Sequence, residues 1–67
     1  MVIVVVNGAE REVTDGLDLA ALLEEIDAPR QAVAVERNGV VVRRADLASE
    51  RIAAGDRIEI VTLVGGG

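Results

Sequence analysis

The sequence predicts an α+β fold in which a mixed sheet of four to five strands curls around one helix. Two pairs of strand-like runs are each joined by an Asn-Gly dipeptide, and one segment between these hairpins has apolar residues at helical spacing. One apolar helix stripe has to be covered by one face of a sheet. The 67 residues form one domain with the order β-β-α-β-β-turn-β.

The first hairpin begins the chain. Residues Val2–Val6 are β-branched throughout, which favours a strand. Because no polar residue alternates with them, we expect both faces of this strand to be covered or near-covered. Asn7 and Gly8 tolerate the positive φ of a type I′ turn. Residues 10–14 return as a second strand, whose polar side chains indicate a solvated position near the sheet edge.

The predicted helix lies between the two hairpins. Its apolar stripe has the spacing i, i+3, i+4 and i+7 and consists of Leu19, Leu22, Leu23 and Ile26. Asp18 is placed to cap the first turn. Asp27-Ala28-Pro29 is expected to end the helix, because proline disfavours helical backbone at the residue before it. Glu24 and Glu25 lie off the stripe, so we interpret them as an ordinary solvated helix face.

The second hairpin and the final strand complete the sheet. Residues Val33–Arg37 and 40–43 flank the second Asn-Gly pair, and a helical or 3₁₀ turn anchored by Leu47 and Ile52 follows. After a tight turn, residues 57–64 form the last strand. The first and last strands are the most hydrophobic and suit adjacent central positions, but periodicity alone does not predict that they run parallel.

The composition excludes several classes of site. The chain has no Cys, His, Lys or aromatic residue. It therefore lacks the usual zinc ligands, a thiolate nucleophile, the usual general base near neutral pH, a Schiff-base amine and a base-stacking surface. No carboxylate spacing suggests a metal site, and the net charge of −5 disfavours nucleic acid and favours a basic partner. We expect a protein that is not an enzyme and binds no metal.

The expected location follows from the start of the chain. The opening apolar run is too short for a signal peptide or a membrane span, and no basic residues precede it. The interpretation is a cytoplasmic protein without a membrane partner.

The most unusual feature is the end of the sequence, where the last strand runs into Gly65, Gly66 and Gly67. Glycine has no Cβ, so these residues cannot pack a core and are free over most of φ/ψ space. We expect a domain over residues 1–64 and a flexible tail over 65–67, which holds the Gly67 carboxylate on a leash of roughly 10 Å. Such a tail is thin enough to enter a narrow channel of another protein, although an ordinary frayed terminus has the same composition.

A candidate partner-binding surface lies just before the glycines. Val61, Leu63 and Val64 are all apolar, and at least one has to point away from the core because strand side chains alternate between faces. We predict a partner surface around these three residues, with Arg43 or Arg57 at its rim. The alternative is that the sheet curls and buries the apolar side chains.

With these elements in this order, the chain resembles the ubiquitin-like β-grasp proteins and is most similar to the ThiS-type sulfur carriers of bacterial thiazole biosynthesis, in the ThiS/MoaD superfamily. The resemblance covers the full length. It rests on the opening strand closed by Asn7-Gly8, the helix Leu19-Ala20-Ala21-Leu22-Leu23-Glu24-Glu25-Ile26, the stretch Val33-Ala34-Val35-Glu36-Arg37-Asn38-Gly39-Val40-Val41-Val42-Arg43, the run Gly55-Asp56-Arg57-Ile58-Glu59-Ile60-Val61, and the terminal Gly66-Gly67. A third glycine, Gly65, departs from the common Gly-Gly ending and is expected only to lengthen the flexible part.

The resemblance implies a carrier that is not an enzyme and holds no permanent cofactor. By this resemblance, an E1-like adenylyltransferase of the ThiF type uses ATP to adenylate the Gly67 carboxylate. The acyl-adenylate is then converted to a thiocarboxylate with sulfur that, in many systems, comes from a cysteine desulfurase. A thiazole synthase of the ThiG type uses that sulfur to build the thiazole half of thiamin.

Three other functions remain open at this point. Sulfur carriers for molybdopterin synthesis or tRNA thiolation share the chemistry at Gly67 and differ only in the acceptor. A ubiquitin-like protein modifier would instead form amide bonds to target lysines through the same terminus. A plain interaction domain with a frayed tail would stay active after removal of the tail, whereas a carrier would be inactive.

Overall fold

The computed structural model of the chain describes residues 1–63, which form one mixed sheet packed on one helix. In chain order the elements are β1 (Val2–Val6), β2 (Ala9–Val13), α1 (Leu19–Glu25), a 3₁₀ turn (Arg30–Ala32), β3 (Val33–Arg37), β4 (Val40–Val42), a second 3₁₀ turn (Arg44–Asp46) and β5 (Arg57–Thr62). The five strands lie in the order β2-β1-β5-β3-β4. The predicted α+β fold is confirmed, with the larger of the two expected strand numbers.

The first and last strands lie side by side in the middle of the sheet. β1 pairs with β5 in parallel, with Val5 opposite Arg57 and Val6 opposite Ile58, whereas β1–β2, β3–β4 and β3–β5 are antiparallel. Their adjacency follows from their hydrophobicity, as predicted. Their parallel direction does not, because the spacing of apolar residues along a strand carries no information about the direction of its neighbour.

The edge strands and strand ends differ little from the predicted ones. β2 is an edge strand, as predicted, and only Val13 of its five residues is buried. It begins at Ala9 and ends at Val13 rather than spanning 10–14, and β4 ends at Val42. β5 ends at Thr62, before the predicted boundary at residue 64.

The helix begins and faces inward as its sequence predicts. The Asp18 carboxylate accepts a hydrogen bond of 2.8 Å from the backbone N–H of Ala21, which caps the first turn. The three leucines of the stripe are at most 1 % exposed, and Ile26 packs against the same core. Glu24 and Glu25 are exposed, so the acidic pair is the solvated face that was expected. Within residues 1–63, no helix has the length and apolar character needed to cross a membrane.

The turn that ends the helix lies before Pro29. Asp27 has a left-handed backbone, with φ of 57°. Its N–H donates to the Glu24 carbonyl across 3.2 Å, and the N–H of Ala28 donates to the Leu23 carbonyl across 2.8 Å. These two bonds are the pattern of a Schellman C-cap, which satisfies carbonyls of the last turn. The predicted end at Asp27-Ala28-Pro29 is therefore confirmed, but its cause is the left-handed turn at Asp27 rather than Pro29.

Both Asn-Gly pairs form the predicted turns. The φ values are 50° and 83° at Asn7 and Gly8, and 52° and 85° at Asn38 and Gly39. A positive φ at both central residues is the mark of a type I′ turn, whose twist matches that of the flanking strands. Each dipeptide therefore closes one hairpin as its sequence indicates.

The hydrophobic core lies between α1 and the inner face of the sheet. The central strands contribute Val4 and Ile58, both 0 % exposed. Leu47 and Ile52 are 2 % exposed, which confirms them as anchors of the segment between β4 and β5. Fully burying a side chain of this size stabilises the fold by about 1.5–3 kcal/mol, so these few residues carry much of the stability of a small domain.

The outer face of the sheet is open. Because side chains alternate along a strand, Ile3 of β1 points away from the helix, and it is 50 % exposed. The expectation that both faces of β1 are covered or near-covered is therefore wrong. β1 is apolar on both faces, yet in the described part of the chain only its inner face packs against the helix.

Candidate functional site

The predicted site begins where β5 ends. β5 is the central strand of the sheet, and past its last residue the N–H of Leu63 donates to the Ala32 carbonyl across 2.7 Å. This bond continues the antiparallel pairing on the β3 side, so the chain is held to the sheet as far as Leu63. Four residues of the predicted site lie outside the described residues: Val64, Gly65, Gly66 and Gly67.

Val61 and Leu63 lie on the outer side of β5. Ile58 is fully buried and Ile60 packs against the core, so the alternate residues face outward. Val61 is 56 % exposed and Leu63 is 48 % exposed. The alternative in which the sheet curls over these two side chains is therefore wrong. That they bind a partner stays a prediction.

The two arginines predicted at the rim lie at different ends of β5. Continuing the β3–β4 register by one residue places Arg43 beside Ala34, whose other neighbour is Val61. The Arg43 side chain is 81 % exposed and its Nε donates to Asp46 across 3.1 Å, a surface pair that adds little stability. Arg57 lies four residues before Val61 on the same strand, about 13 Å away at 3.3 Å per residue. Of the two arginines, Arg43 is the one in the same cross-strand row as Val61, with Ala34 between them.

The outer face near this end is apolar and acidic. Val41 of β4 is 65 % exposed, and it lies opposite Glu36 of β3, which in turn lies opposite Glu59 of β5. Like charges directly opposite each other repel, so the Glu36–Glu59 pair stabilises nothing by itself. We call the exposed apolar residues Val41, Val61 and Leu63 the outer patch. Its immediate surroundings suit an apolar partner surface that also carries positive charge.

An ion pair between buried Asp56 and half-buried Arg37, which sequence reasoning missed, holds the start of β5. Asp56 is 8 % exposed. Its Oδ2 accepts hydrogen bonds of 2.8 Å from Arg37 Nε and from the Ala53 N–H, and its Oδ1 accepts one of 3.1 Å from Asn38 Nδ2. Arg37 also pairs with Glu50 across 3.1 Å. The sequence carries only a weak signal of this network, since an acid in a tight turn is usually exposed.

The network lowers the pKa of Asp56. Burial alone raises the pKa of this carboxyl, but hydrogen bonds from Ala53, Asn38 and Arg37, together with the charge of Arg37, outweigh burial and bring the pKa below its ordinary value of 3.8. For Arg37, burial acts to lower the pKa, and the bonds to Glu50 and Asp56 raise it on balance. Both groups are charged at neutral pH, so the pair is a structural clamp rather than an acid–base pair.

The described part of the chain offers surfaces rather than reaction chemistry. No group of three or more His, Cys, Asp or Glu among residues 1–63 is placed to hold a metal ion. The one buried carboxylate, in that same range, is fully engaged by its partners.

Two solved structures share this architecture over nearly the whole chain. The crystal structure of the thiamine biosynthesis protein ThiS from Geobacter metallireducens superposes with a TM-score of 0.84 at 31 % identity, covering 97 % of this chain and 99 % of that one. An NMR solution structure of a thiamine biosynthesis protein from the same organism gives a TM-score of 0.78 at 31 % identity, covering 97 % and 87 % of the two chains.

Two curated sequences are also similar to this chain. A thiazole synthase from Paramagnetospirillum magneticum is 40 % identical over 63 residues, which are 94 % of this chain but 19 % of the synthase. The chain therefore spans about a fifth of the length of that relative. The uncharacterized protein ycf40 from Trieres chinensis is 34 % identical over 62 residues, covering 92 % of this chain and 85 % of that protein.

The fold and these similarities define a small β-grasp protein, in which a mixed sheet with parallel first and last strands packs on one helix. The model of the ThiS family matches residues 4–67, so the chain belongs to the ThiS family. This confirms the resemblance to ThiS-type sulfur carriers and the interpretation as a protein that is not an enzyme. Together the matches support a sulfur-carrier role in thiamine biosynthesis.

Proposed function

We propose that the chain carries sulfur for the thiazole half of thiamin, with the Gly67 carboxylate as the carrier group. The observation that carries the proposal is the ThiS family match, which runs from residue 4 through Gly66 and Gly67. The similarity to a thiazole synthase supports a synthase of that type as the acceptor. The partners of the proposal are an E1-like adenylyltransferase of the ThiF type, a source of sulfur such as a cysteine desulfurase, and a thiazole synthase of the ThiG type.

The carboxylate has to be activated before it can carry sulfur. It is a poor electrophile, because resonance stabilises it and its negative charge repels nucleophiles. A carboxylate oxygen attacks the α-phosphorus of ATP, pyrophosphate leaves, and an acyl-adenylate forms on the partner. A hydrosulfide equivalent then attacks the carbonyl carbon and AMP leaves with the bonding electron pair, which yields the thiocarboxylate. The partner contributes by holding the two reacting groups together.

The carrier contributes an accessible carboxylate and a surface for recognition. Three glycines in succession bring no Cβ to the place where the chain has to pass into the partner. We propose the outer patch as the surface that docks, with Arg43 at its rim. Its support is the exposure of Val41, Val61 and Leu63 on one face of the sheet, next to the end of the central strand that leads to Gly67.

Val61→Asp and Leu63→Asp are each expected to weaken binding to the E1-like partner by about tenfold, because a charge replaces an exposed apolar contact that the complex would bury. Val40→Asp is the matched control. Val40 is 67 % exposed but lies opposite Arg37 and so belongs to the other face of the sheet. The affinity of Val40→Asp for the E1-like partner should stay within about twofold of wild type.

Isothermal titration of each folded variant with the partner measures these affinities. If Val61→Asp and Leu63→Asp both bind as tightly as the unchanged chain, the outer patch is not the docking surface.

The sulfur-carrier function itself is tested by forming the thiocarboxylate at Gly67 and offering it to a thiazole synthase of the ThiG type. The synthase should consume the thiocarboxylate. If only a molybdopterin synthase or a tRNA-thiolating enzyme consumes the thiocarboxylate, the chain is a carrier for another sulfur pathway.

A further inference from the structure

The two Asn-Gly turns do more than reverse the chain, because both asparagine side chains hold β5. At the start of the strand, Asn38 Oδ1 accepts a hydrogen bond of 2.9 Å from the N–H of Arg57. Farther along, Asn7 Oδ1 accepts one of 2.7 Å from the N–H of Ile60, and Asn7 Nδ2 donates one of 3.2 Å to the Ile60 carbonyl. The central strand is thus gripped at two points by residues that the sequence marks only as turn formers.

The Asn7 side chain continues the pairing with β5 beyond the end of β1. The backbone N–H of Asn7 donates to the Ile58 carbonyl across 2.9 Å, and the chain then turns away with a φ of 50°. β5 continues to Thr62 without β1 beside it. A carboxamide has one carbonyl acceptor and an N–H donor, as a peptide group does. The Asn7 side chain therefore bonds Ile60 as the next residue of a parallel strand would.

Within the described chain, the hydrogen bonding of β5 on its β1 side ends at Ile60. Beyond it, up to residue 63, the hydrogen bonds that the structure describes for this segment run to the β3 side, where Thr62 lies opposite Val33 and the N–H of Leu63 bonds Ala32. Ile60 is thus the last described residue of β5 that is held from the β1 side. Gly67 follows it by seven residues in the sequence.

We propose that Asn7 is a positioning residue for the carrier, which fixes the point from which the C-terminal segment extends toward a partner. This inference rests on the proposed function. A carboxylate that has to reach a nucleotide in a docked partner reacts fastest when its base is fixed, since slack at the base lowers its effective concentration there. Loss of the Asn7 carboxamide leaves β5 beyond Ile58 paired on the β3 side alone. The base of the segment, held to the sheet as far as Leu63, then gains slack.

The variant that tests this is Asn7→Gly, because glycine adopts the positive φ of the turn while the side chain that carries the carboxamide is removed. Asn38→Gly is the matched control. It removes the corresponding side chain at the start of β5, including its bond to Asp56, and should destabilise the domain at least as much. Asn7→Asp is a second variant, which keeps an acceptor for the Ile60 N–H but sets a carboxylate oxygen against the Ile60 carbonyl.

Two readouts separate positioning from a general loss of stability. With the E1-like partner in saturating excess, Asn7→Gly should be adenylated about threefold to tenfold more slowly in a single turnover, Asn7→Asp should lie between it and wild type, and Asn38→Gly should react at the wild-type rate. The Ile60 amide should exchange with solvent deuterium about threefold to tenfold faster in Asn7→Gly.

A wild-type adenylation rate in Asn7→Gly overturns the proposal. So does a rate that falls in both glycine variants in proportion to their loss of stability. If the unchanged chain is not adenylated by a competent partner, the proposed function fails instead. In that case the Ile60 amide exchange alone decides whether Asn7 fixes this point of β5, and unchanged protection in Asn7→Gly means that it does not.

Discussion

Replacing Gly66 with alanine is expected to slow adenylation of the Gly67 carboxylate by about 100-fold, the cost of displacing a reacting group by roughly 1 Å. Alanine adds a Cβ next to the reacting residue and restricts its φ and ψ. A group that has to pass through a narrow channel and meet ATP tolerates neither change. The fold should be unaffected, since the core of the described chain lies between Val4 and Ile58.

The measurement is the single-turnover rate of thiocarboxylate formation with the E1-like partner, with the melting temperature as a check on folding. Gly65→Ala is the matched control. It adds the same methyl group one residue earlier, at the glycine that departs from the common Gly-Gly ending, so its effect should be clearly smaller. Normal thiocarboxylate formation by Gly66→Ala would count against the threading of this tail.

Asp56→Ala is expected to lower the free energy of unfolding by about 2–4 kcal/mol, the range for removing the buried partner of a hydrogen-bonded charge pair. The change leaves the Ala53 N–H and the Asn38 amide without their acceptor and leaves Arg37 with Glu50 alone. A domain of this size has a total stability of roughly 3–10 kcal/mol. The expected loss is therefore a large fraction of the total stability.

Urea unfolding measures this loss, with Glu50→Ala as the control. Glu50 pairs with the same arginine across 3.1 Å, but its side chain is 39 % exposed, so removing it should cost at most about 1 kcal/mol. Equal losses in the two variants would show that the burial of Asp56 does not matter.

The same carboxylate makes stability depend on pH in a defined direction. The pKa of Asp56 is lower in the folded chain than its ordinary value of 3.8. The ionised carboxylate therefore contributes fully to the stability of the fold above pH 3.8. The contribution is lost as the pH falls from 3.8 through the folded pKa. The melting temperature of the unchanged chain should therefore drop at acid pH by more than that of Asp56→Ala. A parallel drop in both would contradict a lowered pKa.

Local patterns predict the elements of this fold well. Both Asn-Gly turns, the Asp18 cap and the helix stripe depend on residues a few positions apart, and each forms as predicted. The helix ends where it was predicted to end, but the left-handed turn at Asp27 was not predicted, because aspartate rarely takes the backbone that glycine favours in this position. Strand direction is a property of the whole topology, which explains why the parallel pairing of β1 and β5 could not be predicted.

Only part of the candidate site could be predicted from the sequence. Alternation along the last strand predicts that apolar side chains face outward, and Val61 and Leu63 do so. Whether Arg43 or Arg57 lies in the same cross-strand row as Val61 depends on the register between three strands, which periodicity does not predict. The clamps formed by Asp56 and Asn7 join residues far apart in sequence, and each of these residues reads locally as part of a turn. Roles of this kind become visible only in three dimensions.

The central claim is that the Gly67 carboxylate carries sulfur, and intact mass spectrometry tests it most directly. The 67-residue chain is incubated with an E1-like enzyme of the ThiF type, ATP and a sulfur source, next to a chain that lacks Gly67. The expected result is the mass increase that corresponds to replacing one terminal oxygen with sulfur, seen only with ATP and only in the chain that has Gly67. An unchanged mass with an enzyme that activates another member of the ThiS family would contradict the claim.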